Sequence, residues 1–179
     1  MTKSVYAIWF TGLPASGKST LASLLAKEMR KHQYPVQILD SDQLREVLTP
    51  EPTYDSEERA WFYKTLAYIA SLLVNNQVNT IVAATAHRRE YRMQAREYLP
   101  DLIEIYVKCS LETCMQRDQK GIYKKAITME AVTVPGIQEL YETPKSPAIK
   151  IDTDQYSPQE CLTKILSYLA DLGYIDKKE

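Results

Sequence analysis

Gly12-Leu13-Pro14-Ala15-Ser16-Gly17-Lys18-Ser19 follows the pattern G-x-x-x-x-G-K-[ST], and Thr20 extends it into the next element. These residue types suit one task, holding a phosphate chain. Gly12 and Gly17 let the backbone come close enough for successive N–H groups to turn toward phosphate oxygens at the positive end of the following helix. Lys18 then reaches the β and γ phosphates of a bound nucleotide, and the Ser19 hydroxyl can ligate Mg2+.

A second cluster, Asp40-Ser41-Asp42-Gln43-Leu44-Arg45, brings two carboxylates and an arginine to one short stretch. Phosphoryl transfer needs one group to hold the water shell of the metal and another to take the proton of the acceptor hydroxyl. We assign Asp40 to the metal, through water, and Asp42 to the proton. Ser41 or Asp42 could instead simply cap the helix that follows. In His87-Arg88-Arg89-Glu90-Tyr91-Arg92, Arg89 and Arg92 lie three apart on one side of a helix and suit bidentate binding of a second anion, although a solvated face carries the same charges. Near the start of another helix stand Tyr54, Trp61, Phe62 and Tyr63, which either stack on a base or fill core.

The elements that must position these groups are legible as alternation. Strand-like runs Val5 to Phe10, Val36 to Leu39, Thr80 to Ala84, Leu102 to Val107 and, more weakly, Ala148 to Ile151 are separated by helical segments, the first over Thr20 to Lys31. Such alternation predicts an α/β three-layer sandwich, a five-stranded parallel sheet with helices on both faces. Ligands in such sheets bind beyond the carboxyl ends of the strands, where the clusters above fall. From Asp118 to Pro147 the rhythm breaks: four lysines, two glycines and three prolines suit a lid over the site.

With 179 residues, 45% hydrophobic and 25% charged, one domain spanning 1–179 is expected. Twenty-two basic against 23 acidic residues leave a formal net charge of −1, which offers no general attraction to nucleic acid or an anionic membrane. Small-molecule substrates are the expected partners, and a homodimer is compatible with the sequence. Met1-Thr2-Lys3-Ser4 runs into the first strand without a signal-like segment, so a cytoplasmic protein is expected, and the Lys177-Lys178-Glu179 tail is expected to fray. Cys109, Cys114 and Cys161 are an odd set without C-x-x-C spacing; Cys109, at the end of a predicted strand, and Cys114, on the next helix, read as small buried hydrophobes.

Together these residues resemble the adenylyl-sulfate kinase family. The likeness runs from Gly12 through Leu39-Asp40-Ser41-Asp42-Gln43-Leu44-Arg45 and Glu104-Ile105-Tyr106-Val107 to Tyr141-Glu142-Thr143-Pro144, and its most specific stretch is Arg117-Asp118-Gln119-Lys120-Gly121-Ile122-Tyr123. The resemblance implies a P-loop kinase that uses ATP and Mg2+ to phosphorylate the 3′-hydroxyl of adenosine 5′-phosphosulfate. It implies that Arg117 and Lys120 lie near ATP or the lid, that Arg45 and Arg59 lie near the sulfonucleotide, and that Asp42 faces the attacking hydroxyl; Lys120, Arg89, Arg92 and Gly136 are further candidates for the acceptor side. Departures concentrate at the acceptor: Ser41 replaces a glycine, Thr85-Ala86-His87 stands for Ile-Ser-Pro, Phe62-Tyr63-Lys64-Thr65 for Asn-Ile-Arg-Arg and Val134-Pro135-Gly136 for Phe-Thr-Gly. Two alternatives follow, a kinase of the same lineage with another nucleotide-linked or small alcohol acceptor, and a nucleotide-binding regulatory module without turnover.

Overall fold

A computed structural model describes residues 5–131 and 133–176; the expectations for the first four residues and the last three lie outside the described residues. The chain alternates β1 (Ala7–Thr11), α1 (Lys18–Lys31), β2 (Val36–Asp40), α2 (Ser41–Leu48), α3 (Ser56–Asn75), β3 (Asn79–Ala83), α4 (Arg89–Tyr98) and β4 (Ile103–Lys108). It continues through α5 (Leu111–Gln116), α6 (Ile122–Ile127), β5 (Ile149–Asp152) and α7 (Pro158–Asp171). Every strand pairing is parallel, in the order β2-β3-β1-β4-β5. The five strands coincide with the expected runs to within two residues at either end.

Central strands covered by helices on both sides must be apolar on both faces, and β1 is buried along its whole length. Its alternation then divides the core. Ile8 and Phe10 join Leu21, Leu25, Ile165 and Leu169 on the side of α1 and α7, while Ala7 and Trp9 join Phe62, Leu66 and Tyr91 on the side of α3 and α4. From β1 the chain crosses to β2 and returns to β3 on one flank, then adds β4 on the other. The reversal falls beside β1, so the loop after β1 opens into the crevice where open α/β sheets bind ligands.

The Asp118 to Pro147 excursion is folded. It contains α6, an isolated bridge between Pro135 and Glu139, and an apolar cluster of its own in which Tyr123, Ala126 and Val134 pack with Cys109, Cys114 and Leu13. Cys109 and Cys114 therefore pack under this segment, buried as read from the sequence; Cys161 lies in the α1/α7 core, and all three are free and buried. Among the described residues no helix is long and apolar enough to cross a membrane.

Candidate active site

A cavity of about 750 Å³ opens at the carboxyl ends of the strands, within the range of small-ligand sites. Pro14, Ala15, Gly17, Lys18, Ser19 and Thr20 line one end of it. Gly12, Leu13 and Ser16 support the loop from behind. A Cβ on Gly12 would run into the Val107 carbonyl oxygen and come within 2.8 Å of the Ser16 Oγ, so glycine lets the loop press against β4. Gly17 takes φ 103, a left-handed conformation that costs a glycine little, and starts α1 without a side-chain cap, leaving the first amides of the helix to the loop.

Lys18 Nζ donates to the Gly12 and Leu13 carbonyls at 3.1 and 2.7 Å. Burial lowers its pKa to about 8, against the opposing pull of the Asp42 and Asp40 carboxylates. Ser19 Oγ donates to Asp40 Oδ2 at 2.6 Å, while Asp40 Oδ1 accepts the Asp42 backbone N–H at 2.9 Å. The cap of α2 is thus Asp40, correcting the expectation of Ser41 or Asp42, because the capping residue is the last of β2 and its two oxygens serve separate partners. Asp42 is left exposed, and its Oδ2 accepts from Lys120 Nζ at 2.6 Å, a bond that raises the lysine's pKa.

Beyond Asp42 the wall carries Arg45, Arg59, Tyr54 and Tyr63. The Arg45 guanidinium lies 3.9 Å from the Phe62 ring centre and 4.9 Å from that of Tyr54. Its Nη1 donates to Glu58 Oε1 at 2.7 Å, and its buried Nη2 has no partner. Arg59 donates from Nε to the Tyr54 carbonyl and from Nη2 to the Thr133 carbonyl, both at 2.7 Å, tying α3 to the excursion. Of the aromatics at this helix start, Phe62 and Tyr63 are buried, Trp61 is half exposed, and Tyr54 precedes the helix with φ 57.

At the far end Arg117 bridges to the loop after β5, donating to the Thr153 carbonyl at 2.8 Å and its Oγ1 at 3.3 Å. Thr153 Oγ1 in turn donates to the Ser16 carbonyl at 3.0 Å, which couples this wall to the phosphate loop. Lys120, with Gln119 beside it, faces the middle of the cavity. Thr153, Thr133 and Glu58 were missed in the sequence. Only Thr153 carried a signal, its position immediately after a strand.

Three of the expected acceptor-side residues lie outside the cavity lining. Arg92 is buried and turned from the cavity: it donates to the Ala86 carbonyl and to the Glu142 carbonyl, and pairs with Glu104 at 2.9 Å. Arg89 likewise donates from Nε to the Thr143 carbonyl and from its backbone to Glu142, so both arginines staple the end of the excursion to α4. Gly136 packs on Leu13 and Leu111 in a left-handed conformation, φ 96, and does not reach the cavity wall. His87 is buried with neither ring nitrogen hydrogen-bonded, and burial, reinforced by the Arg59 charge, lowers its pKa to about 4.

Comparison with known proteins agrees with this geometry. The family model described as adenylylsulphate kinase matches residues 4–152. The chain is 42% identical over 168 residues to an adenylyl-sulfate kinase of Thermodesulfovibrio yellowstonii, covering 93% of this chain and 84% of that one. It is 34% identical to a probable bifunctional SAT/APS kinase of Sorangium cellulosum, covering 98% of this chain but only 30% of that longer protein. An APS kinase of Mycobacterium tuberculosis, solved with AMPPNP and APS, superposes with a TM-score of 0.88 at 29% identity, covering 93% of this chain and 98% of that one.

Proposed function

This chain belongs to the adenylylsulphate kinase family, and from that premise we propose how its residues divide the work of the reaction. The enzyme transfers the γ-phosphoryl group of ATP to the 3′-hydroxyl of adenosine 5′-phosphosulfate, giving 3′-phosphoadenosine 5′-phosphosulfate and ADP. The observation that carries the assignment of residues is one continuous cavity with three parts: the phosphate loop, a carboxylate at Asp42, and a buried guanidinium with one unpaired nitrogen at Arg45.

The ATP phosphates lie on the amides of Gly12 to Thr20, and Lys18 leaves the Gly12 and Leu13 carbonyls to meet the β and γ oxygens. Arg117, pinned by Thr153, closes the nucleotide end, and Lys120 follows the γ-phosphate. The adjoining Ser19 hydroxyl and Asp40 carboxylate are hard oxygen donors beside the phosphate loop and fit Mg2+, which Ser19 would hold directly and Asp40 through water. Bound there, the ion supplies charge neutralisation to the phosphate oxygens. Arg45 and Arg59 take the anionic end of the acceptor. Asp42 receives the 3′-hydroxyl proton as that oxygen attacks phosphorus in line with the departing ADP oxygen. Transfer is direct, and Ala86, standing where the family carries serine, has no hydroxyl to phosphorylate. The Asp118–Pro147 segment acts as a lid that excludes water.

A coupled ADP-release assay with Mg-ATP tests the reading. Adenosine 5′-phosphosulfate should stimulate release far above other nucleotide-linked alcohols. Stimulation by another acceptor alone, or by none despite tight ATP binding, would reject it.

A further inference from the structure

Glu58, on the first turn of α3, joins two things that the sequence keeps apart. One carboxylate oxygen, Oε1, takes Arg45 Nη1 at 2.7 Å. The other, Oε2, accepts the Thr53 backbone N–H, the Thr53 hydroxyl at 3.0 Å and the Tyr54 N–H at 3.3 Å. Burial alone would raise the pKa of this carboxyl, but the bonds from Thr53, Arg45 and Tyr54 outweigh it and hold it below the ordinary carboxylate range. It is therefore an ion at neutral pH, with both oxygens committed.

These bonds shape the far end of the cavity. Gathering the Thr53 and Tyr54 amides onto Oε2 folds the loop before α3, and Tyr54 adopts φ 57, a left-handed conformation that a bulky side chain takes only when its surroundings impose it. That fold lays the Tyr54 ring 4.9 Å from the Arg45 guanidinium, which also has the Phe62 ring at 3.9 Å, and turns the Tyr54 carbonyl to Arg59 Nε. A guanidinium with two aromatic neighbours and one nitrogen tied has little rotational freedom left. Arg45 lines the cavity with a guanidinium whose Nη2 is hydrogen-bonded to no protein group, so part of its hydrogen-bonding capacity is not used up within the protein.

We propose that Glu58 is a positioning residue for acceptor recognition, acting through Arg45: its two oxygens fix the guanidinium and the Tyr54 loop at the wall of the cavity that receives the anionic phosphosulfate end of the acceptor. The proposal rests on the kinase reading above and adds to it a residue that touches neither substrate. Glu58→Gln keeps the shape but turns an NH2 group toward donors, so either Arg45 or the loop loses its acceptor.

The test is steady-state kinetics with the full chain, Mg-ATP and adenosine 5′-phosphosulfate. Glu58→Gln should raise the KM of the acceptor about ten- to a hundredfold, the span of a lost charge-assisted bond, with the KM of ATP within about twofold. Because Glu58 acts through Arg45, the double variant Glu58→Gln/Arg45→Met should be no worse than Arg45→Met alone. If Glu58→Gln does not fold, Glu58→Asp replaces it; this keeps the charge, shortens the reach by one methylene and should raise the acceptor KM severalfold at unchanged ATP KM. An unchanged acceptor KM, a parallel rise of both KM values, or additive losses in the double variant would overturn the proposal. A wild type that does not turn over the sulfonucleotide would instead overturn the reading beneath it.

Discussion

Binding of Mg-ATP should take up protons at mildly alkaline pH, because Lys18 is the group that must change partners. In the free protein its pKa is lowered to about 8 by burial. Next to the β and γ phosphates the charged form is favoured, and the pKa returns toward its ordinary 10.5. At pH 8.5 a group of pKa 8 is about one quarter protonated, and one of pKa 10.5 is about 99% protonated, so binding takes up about 0.75 proton; at pH 8 the uptake is about 0.5 and at pH 7 about 0.1. The sign is fixed: the complex holds more protons than the free protein, so affinity falls as pH rises from about 8 toward 10.5. Calorimetric titration in buffers of different ionisation heat reads this number directly. Lys18→Met should abolish the uptake and lower turnover about a hundredfold or more. An uptake that does not grow between pH 7 and 8.5, or one that persists in Lys18→Met, would refute the reasoning.

Asp42→Asn should lower kcat about a hundredfold or more in the ADP-release assay with little change in ATP KM or melting temperature, since the cap of α2 is Asp40; normal kcat with a lowered melting temperature would make Asp42 structural. Arg92→Met takes the buried partner from Glu104 Oε1 and two carbonyls, while Arg96 still holds Glu104 Oε2; a loss of about 3 kcal/mol, the low end for a broken buried pair, should depress the melting temperature by about 6–12 °C while the acceptor KM holds, and a tenfold rise in that KM at normal stability would return Arg92 to the binding site. Tyr123→Phe removes a 2.9 Å bond to the Pro14 carbonyl, about 1 kcal/mol, and should raise the ATP KM by a few-fold and leave the acceptor KM alone; an unchanged ATP KM would separate α6 from the grip on nucleotide.

The phosphate loop and the sheet were legible for the same reason, that each is encoded locally. Gly12, Gly17, Lys18 and Ser19 sit within eight residues, and β1 reads as a strand because burial on both faces makes it uniformly apolar. Arg89 and Arg92 show where local reading fails. A helical spacing of three puts two arginines on one side of α4, but which neighbours that side meets depends on Glu104 and Glu142, and those partners arrive from β4 and from the end of the excursion. Glu58 fails in the opposite sense, since in sequence it is one more acid in the first turn of a helix, where carboxylates are common. Its importance comes from Arg45, 13 residues away on another helix.

The free site is largely engaged with itself, and the exception decides how the substrates differ. Lys18 rests on loop carbonyls, Ser19 on Asp40, Lys120 on Asp42, and Arg59 on Thr133. Each of these bonds has to be exchanged for one to substrate, so the net gain per exchange is small. Arg45 Nη2 has nothing to give up. On the proposed division of roles, the anionic end of the acceptor would displace no protein bond of Nη2, whereas its hydroxyl would meet Asp42 only once Lys120 had left that carboxylate. A bound ATP phosphate would supply Lys120 with an alternative partner, so on the same reading nucleotide binding precedes proton transfer. The excursion that carries Lys120 also carries Thr133, so a shift of this segment that freed Asp42 would also act on Arg59. Readiness for chemistry is thereby tied to occupancy of both ends of the cavity.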